Sequence, residues 1–316
     1  MNAGLSNTLQ AAGFLVGGFL AAAVIGMFAH WLDRKVTARI QWRVGPPFFQ
    51  PVYDFVKLLG KQMVIPEGGS RFLFLSAPLL GFAAVGVVTA LLLRTVVFPD
   101  QTFIGDLIVI VYLLTIPSQA VILGAFASAN PLASLGGSRE MKLILSYELP
   151  FVLALVVAII KTGGNIRLGE MIAAQAAARP VVASVSGALA FLISLFVMQA
   201  KLAKVPFDAP EAETEIMGGA YIEYSGVGLG LFKLANWMMQ LTIPLLLIVV
   251  FLGGPDWRGS WLNLLWAALE YVGILVFMIL IRNTNPRLRI DQAMKFFWAM
   301  ATPVGIVAVV LAFLGY

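Results

Sequence analysis

Apolar runs of about 20 residues, the length a helix needs to cross a bilayer, recur from one end of this chain to the other. Eight segments qualify: 10–31, 72–98, 102–126, 143–161, 181–201, 221–252, 261–282 and 294–315. Hydrocarbon offers no hydrogen-bond partners, so such runs fold as helices that satisfy their own backbone. The expected fold is an all-α, polytopic membrane helical bundle of about eight transmembrane helices, with 1–316 as a single integral membrane domain. The sixth segment contains Pro244, which predicts a kink or a projection beyond the bilayer. Only 12% of the residues are charged, about half of what a soluble domain carries.

The charges that remain give the orientation. Arg34, Lys35, Arg39, Arg43, Lys57, Lys61 and Arg71 lie in the loop 32–71. Arg139, Lys142, Lys201, Lys204, Arg282, Arg287, Arg289 and Lys295 lie in or beside 127–142, 201–220 and 282–295. The opposite side holds Lys161, Arg167, Arg179 and Arg258. The positive-inside rule places the richer set in the cytoplasm and both termini outside, in a multi-pass protein of the cytoplasmic (inner) membrane. Residues 1 to 9 carry no positive side chain and the run after them is long enough to span, so no cleavable signal is expected.

Several function classes are disfavoured. The chain has no cysteine and a single histidine, His30, so it offers neither a thiolate metal site nor a bis-histidine haem site. It contains no Gly-Lys-Ser/Thr phosphate loop, G-x-G-x-x-G or H-E-x-x-H run. No cofactor or metal is expected in this chain. Its positive balance is explained by placement across the membrane and not by nucleic-acid binding.

The richest chemistry lies between Lys201 and Gly226. Asp208, Glu211, Glu213, Glu215 and Glu223 gather there, beside and inside apolar segments, where each ionised group costs about 2.5 to 3.5 kcal/mol on insertion scales. Asp208-Ala-Pro-Glu211 has the spacing of a capping box, which predicts a short helix with Asp208, Glu211 and Glu215 on one face. Glu223 falls in the first turns of the sixth segment, and Lys233 about 15 Å deeper. Helix-dipole and capping work accounts well for Asp208 and Glu211, and poorly for Glu223 and Lys233. Glu148 enters the fourth segment as Ser146-Tyr-Glu-Leu-Pro150, where Pro150 frees the carbonyl of Ser146. That pairing suits a small hydrated pocket, although an interfacial glutamate is also a fair account.

The first cytoplasmic loop has structure of its own. From Gln50 to Gln62, Val52, Phe55, Val56 and Leu59 share one helical face, opposite Asp54, Lys57 and Lys61. This predicts an amphipathic surface helix, with Pro51 in its first turn. Gly226 and Gly230 have the spacing of close helix packing. Asp106 and Arg94 are expected to be structural boundary groups, and His30 an interfacial histidine.

Four stretches together carry a resemblance. They are Ala38-Arg39-Ile-Gln41-Trp-Arg43-Val-Gly45-Pro46 with Asp54 and Lys57, Ser146-Tyr147-Glu148, Pro206-Phe207-Asp208 through Glu223-Tyr224-Ser225-Gly226, and Arg287-Leu-Arg289-Ile-Asp291-Gln292. The pattern resembles the complex I subunit 1 family (the H subunit in bacteria) and its relatives in energy-converting membrane-bound [NiFe] hydrogenases. The resemblance implies a membrane component on which a hydrophilic redox arm docks, through Arg39, Arg43, Asp54, Lys57, Arg139, Arg287, Arg289 and Asp291. It implies a proton path built from Glu148, Asp208, Glu211, Glu213, Glu215, Glu223 and Lys233. Partners would be hydrogenase-like large and small subunits carrying iron-sulfur clusters and a NiFe-type site, antiporter-like membrane subunits, and the lipid bilayer. Gly45-Pro46-Pro47-Phe48-Phe49 and Lys61-Gln62 depart from the quinone-reducing pattern, so the hydrogenase branch or its sulfane-reducing relatives are the nearer likeness. A quinone-chamber subunit of an NADH-quinone oxidoreductase is the alternative. A secondary transporter and a passive anchor are further rivals.

Overall fold

A computed structural model of the chain describes residues 2–255 and 261–316, with side chains from Ala12 onward. Arg258, counted above among the outer charges, lies outside the described residues. The described residues form helices and turns with no strand. In order they are α1 (Asn2–Ile40), α2 (Gln50–Leu59), α3 (Arg71–Val97), α4 (Asp106–Leu113), α5 (Ile116–Ala127), α6 (Pro131–Lys161), α7 (Leu168–Ala177), α8 (Val185–Lys201), α9 (Glu213–Ile216), α10 (Gly226–Leu247), α11 (Trp261–Thr284), α12 (Ile290–Lys295) and α13 (Thr302–Phe313).

Among the described residues, seven stretches are long and apolar enough to cross a membrane, and α8 adds a shorter apolar helix of 17 residues. The polytopic bundle expected above is thus what the chain folds into. Its third span is broken between α4 and α5, which together make Asp106–Ala127. Two loops are shorter than expected because helices extend into them. α1 runs to Ile40, and α6 begins at Pro131 in place of 143. The cause in α6 is local: Asn130 accepts from the Leu132 amide at 2.8 Å, and proline follows at the first helical position. Pro150 leaves α6 continuous. Beyond Pro244, α10 passes into a π-helical turn, Ile248–Leu252. Two of that turn's carbonyls, Val249 and Val250, accept from buried Gln175 at 3.2 Å each.

The centre of the bundle is α10, buried along almost its whole length and packed by α1, α3, α8 and α11. α1 and α10 approach closely at Gly26, where a methyl group would run into the backbone carbonyl of Trp237. Gly226 is needed for a different reason. Its φ of +57° is left-handed, and a Cβ there would lie 2.6 Å from the Lys61 carbonyl. It serves the turn into α10, and its pairing with Gly230 as a packing motif does not occur, because Gly230 meets α2 at ordinary distance.

α2 forms where expected but buries a different face. Pro51, Phe55 and Leu58 pack inward against α1 and α10, while Val52, Val56 and Leu59 stay exposed. At the end of the bundle away from the loop that follows α8, Asp106 accepts from the amides of Leu107 at 2.7 Å and Leu168 at 2.9 Å, tying α4 to α7 as a structural group.

Gly26→Ala is expected to destabilise the isolated protein by about 1–3 kcal/mol through overpacking. Thermal unfolding in detergent reads the change, and an unaltered melt would show that α1 and α10 are not in register at this point.

Candidate functional site

The chain leaving α8 turns under the bundle and meets the start of α6. It does not form the single capped helix expected from Asp208 to Glu215. Asp208 makes no cap; a 3₁₀ turn, Ala209–Glu211, is followed by the one-turn α9. The Asp208 carboxylate is engaged elsewhere, with Arg287 at 2.9 Å. A bond to a guanidinium is stronger than one to a neutral backbone amide.

This loop roofs a cavity of about 710 Å³. α1 contributes His30 and Arg34, α2 contributes Asp54 and Lys57, and Lys61 follows α2. Lys204, Asp208, Glu211, Glu213 and Tyr221 come from the loop, and Lys233, Asn236 and Trp237 from α10. Arg282 and Arg287 close the far side. His30 is stacked on Trp237 with ring centres 4.8 Å apart, so it is held by packing as well as by position.

A second, smaller chamber lies deeper. Its volume is about 30 Å³, enough room for water. Ser118, Glu140, Lys201, Glu211 and Tyr221 line it. Glu140 and Lys201 are buried, and Lys201 donates to Glu148 at 2.6 Å. Lys201 also lies over the rings of Tyr147 and Phe151, at 4.9 and 5.2 Å from their centres. Glu211 and Tyr221 belong to both the cavity and the chamber. A carboxylate thus stands in the wall between open water and a buried acid-base group. Burial, helped by the charge of Glu140 and opposed by Lys204, pushes the Glu211 carboxyl up to about 7. Burial also raises Asp208, with Arg287 holding it back. Tyr221 is pushed well above its usual range by burial and then by Glu211.

The structure gathers some of the expected path and scatters the rest. Glu148, Asp208, Glu211 and Glu213 lie on the cavity, the chamber or the ion pair behind it. The freed Ser146 carbonyl is not what partners Glu148; Lys201 is. Glu215 is exposed and paired with Arg139 at 2.6 Å. Glu223 lies before α10 and not within it, because the helix starts at Gly226; its carboxylate accepts from Asn130 at 2.5 Å, away from both cavities. Lys233 is exposed in the cavity wall and has no ion-pair partner among the described residues, so the acid partner expected for it is not supplied there.

Among the expected docking residues, Arg39, Arg43, Lys57, Arg289 and Asp291 are exposed. Asp54 pairs with Arg34 at 3.0 Å, and Arg139 and Arg287 hold Glu215 and Asp208. Sequence reasoning missed Glu140, Lys201 as a buried group, and the set Asp33, Lys204 and Arg282. The Asn130-Pro131 start signal was available: it makes 131–161 one helix, with Ala133, Gly136, Glu140, Leu143 and Tyr147 on its buried face. No described group of His, Asp or Glu is arranged to hold a metal.

The family model described as NADH dehydrogenase matches residues 14–313. The chain belongs to this family, that of subunit 1 of complex I. Among curated relatives, the H subunit of the NADH-quinone oxidoreductase of Syntrophotalea carbinolica is 35% identical over 95% of this chain and 93% of its own length. The corresponding chain of Thermomicrobium roseum is 34% identical over 93% and 92%. Among solved structures, a chain of the membrane-bound sulfane sulfur reductase (MBS), an archaeal respiratory membrane complex, superposes with a TM-score of 0.86. It is 26% identical and covers 96% of this chain and 99% of its own. This member of the family is therefore a multi-pass membrane component of a multi-subunit respiratory complex.

The raised Glu211 carboxyl has a consequence for stability. Between the ordinary value of 4.5 and about 7, the folded chain holds a proton that the unfolded chain has lost. Rising pH therefore lowers stability across this window. Melting curves in detergent are expected to show that fall in the parent and a shallower one in Glu211→Gln; parallel curves would mean that Glu211 titrates normally.

Proposed function

We propose that this chain docks the hydrophilic redox module of its complex and couples electron transfer there to translocation of protons or sodium ions. The observation that carries the reading is Glu211, which stands in the wall between the open cavity and the chamber of Glu140 and Lys201. A proton taken from the cavity side by Glu211 has Glu140 as its next acceptor. Lys201, held by Glu148, is the group whose charge such a transfer disturbs. Asp208, Glu213 and Lys233 set the potential of the water-facing side, and Glu215 and Glu223 hold the loop in place. A carboxyl with a pKa near neutrality is suited to load and unload under small changes in its surroundings.

In this reading the soluble arm rests on the face bearing Arg39, Arg43, Lys57, Arg289 and Asp291, inside the cell, with both termini outside. The cavity wall supports a complex that does not reduce quinone. More than half of its lining residues are charged, whereas an isoprenoid quinone would be better received by an apolar tunnel. With the changed first loop, this favours a ferredoxin-linked hydrogenase or sulfane-reducing type. Its large and small subunits would carry the iron-sulfur clusters and a NiFe-type site, and antiporter-like chains would continue the path. A quinone-reducing complex is the second reading, favoured by the names of the curated relatives.

Two experiments test these statements. In proteoliposomes holding the assembled complex, Glu140→Gln is expected to lower ions moved per electron by about tenfold or more; an unchanged ratio would refute the path. Identification of the co-purifying subunits tests the branch: a NiFe-type large subunit supports the first reading, and an NADH-oxidising module with quinone reduction the second.

A further inference from the structure

Neither cavity uses one carboxylate that lies inside a spanning helix. Glu270 stands about 14 Å along α11 from Trp261 at the usual rise, too deep for a short side chain to reach the headgroups. It makes no hydrogen bond or ion pair with any described residue. Its neighbour Tyr271 donates to the Gln240 carbonyl at 3.2 Å, which fixes the rotation of α11 against α10.

That rotation turns Ile274, Leu275, Met278 and Ile279 inward. Trp266, Leu269, Gly273 and Phe277 form the opposite, exposed stripe, and Glu270 is half-buried at its edge. A Cβ added at Gly273 would meet nothing within 4 Å, so the stripe has a notch one turn from the carboxylate. An unpaired carboxylate facing lipid is costly, and intramembrane acids are usually found paired. Small residues at a helix surface permit close backbone approach.

We propose that this stripe of α11 receives a transmembrane helix of a neighbouring subunit of the same complex, which brings a lysine or arginine to Glu270 and seats its backbone in the notch at Gly273. Charge selects the occupant: the face offers one acid and no cation, flanked by the apolar shoulders Trp266, Leu269 and Phe277. A lipid leaves the carboxylate without a counter-charge. A second copy of this chain, related by a twofold, sets two acids against each other.

A photo-crosslinking benzoylphenylalanine placed at Phe277 tests this in the assembled complex in its native membrane. The expected product joins this chain to one membrane subunit whose apolar span contains a lysine or arginine. Glu270→Gln is expected to lower the yield about three- to thirtyfold, while Glu270→Asp keeps it. Adducts to lipid alone, to a second copy, or to a span without a cation would overturn the proposal. So would an unchanged yield in Glu270→Gln. Equal melting temperatures of the isolated parent and Glu270→Gln chains separate loss of the contact from misfolding; a lower melting temperature for the variant assigns the carboxylate to this chain's own fold and overturns the proposal too.

Discussion

Asp33 is buried near the C-terminal end of α1 and accepts from two cations at once. Lys204 approaches it at 2.8 Å, and Arg282 at 2.9 and 2.8 Å. Three segments far apart in sequence meet on one carboxylate: α1, the exit of α8 and the end of α11. Removing the carboxylate would leave both cations without their counter-charge, and breaking a buried pair in this way typically costs about 3–5 kcal/mol. The tie also fixes the back of the large cavity. It places Lys204 where its charge acts on Glu211 and opposes the effect of burial. Asp33 thereby sets both the shape of the site and part of its electrostatics.

Neutral groups hold the same turn from above. Gln199 is buried and donates to the carbonyls of Val205 at 2.6 Å and Met278 at 3.3 Å. Asn236 of α10 donates to the Leu202 carbonyl at 3.3 Å. A turn placed under the bundle exposes backbone carbonyls that no helix satisfies, and each left unpaired in a buried place costs free energy. The amides of α8 and α10 supply those bonds. Geometry at Glu211 therefore depends on the spans as well as on the loop.

The bundle was legible because bilayer thickness imposes one length and hydrocarbon imposes one backbone conformation. The acidic loop was legible because carboxylates are rare beside apolar spans. What sequence could not decide was which acids share a chamber. Glu140 and Lys201 lie 61 positions apart in sequence, and only the packing of α6 against α8 brings them together. Lys201 reads as a loop charge because it ends an apolar run, yet α8 keeps it buried beneath Tyr147 and Phe151. Glu223 misled in the opposite sense: the apolar run begins before it, whereas the left-handed turn at Gly226 delays the helix until after it. Hydropathy reports how far a segment can extend into lipid. It does not report where a tight turn consumes those residues.

The loop is held unequally on its two sides, and the proposed coupling depends on that inequality. Towards the membrane it is fixed by Asp33 and by the buried amides. Towards water it is fixed by Asp208 with Arg287 and by Glu215 with Arg139, pairs in which Arg287 and Glu215 remain about half exposed. The pair at Glu215 is half exposed and of the kind that contributes only about 0–1 kcal/mol, so a protein seated on that face can replace it at little cost, whereas buried Asp208 must keep Arg287 or meet another cation. The buried ties hold while the Arg139–Glu215 pair exchanges. Glu211 follows Asp208 by three residues and precedes Glu215 by four, so movement at either clamp reaches it directly. A carboxyl already balanced near 7 needs only a small change in the distance to Lys204 or Glu140 to gain or lose its proton. In the proposed mechanism, that balance is what makes an event in the soluble arm felt inside the bilayer.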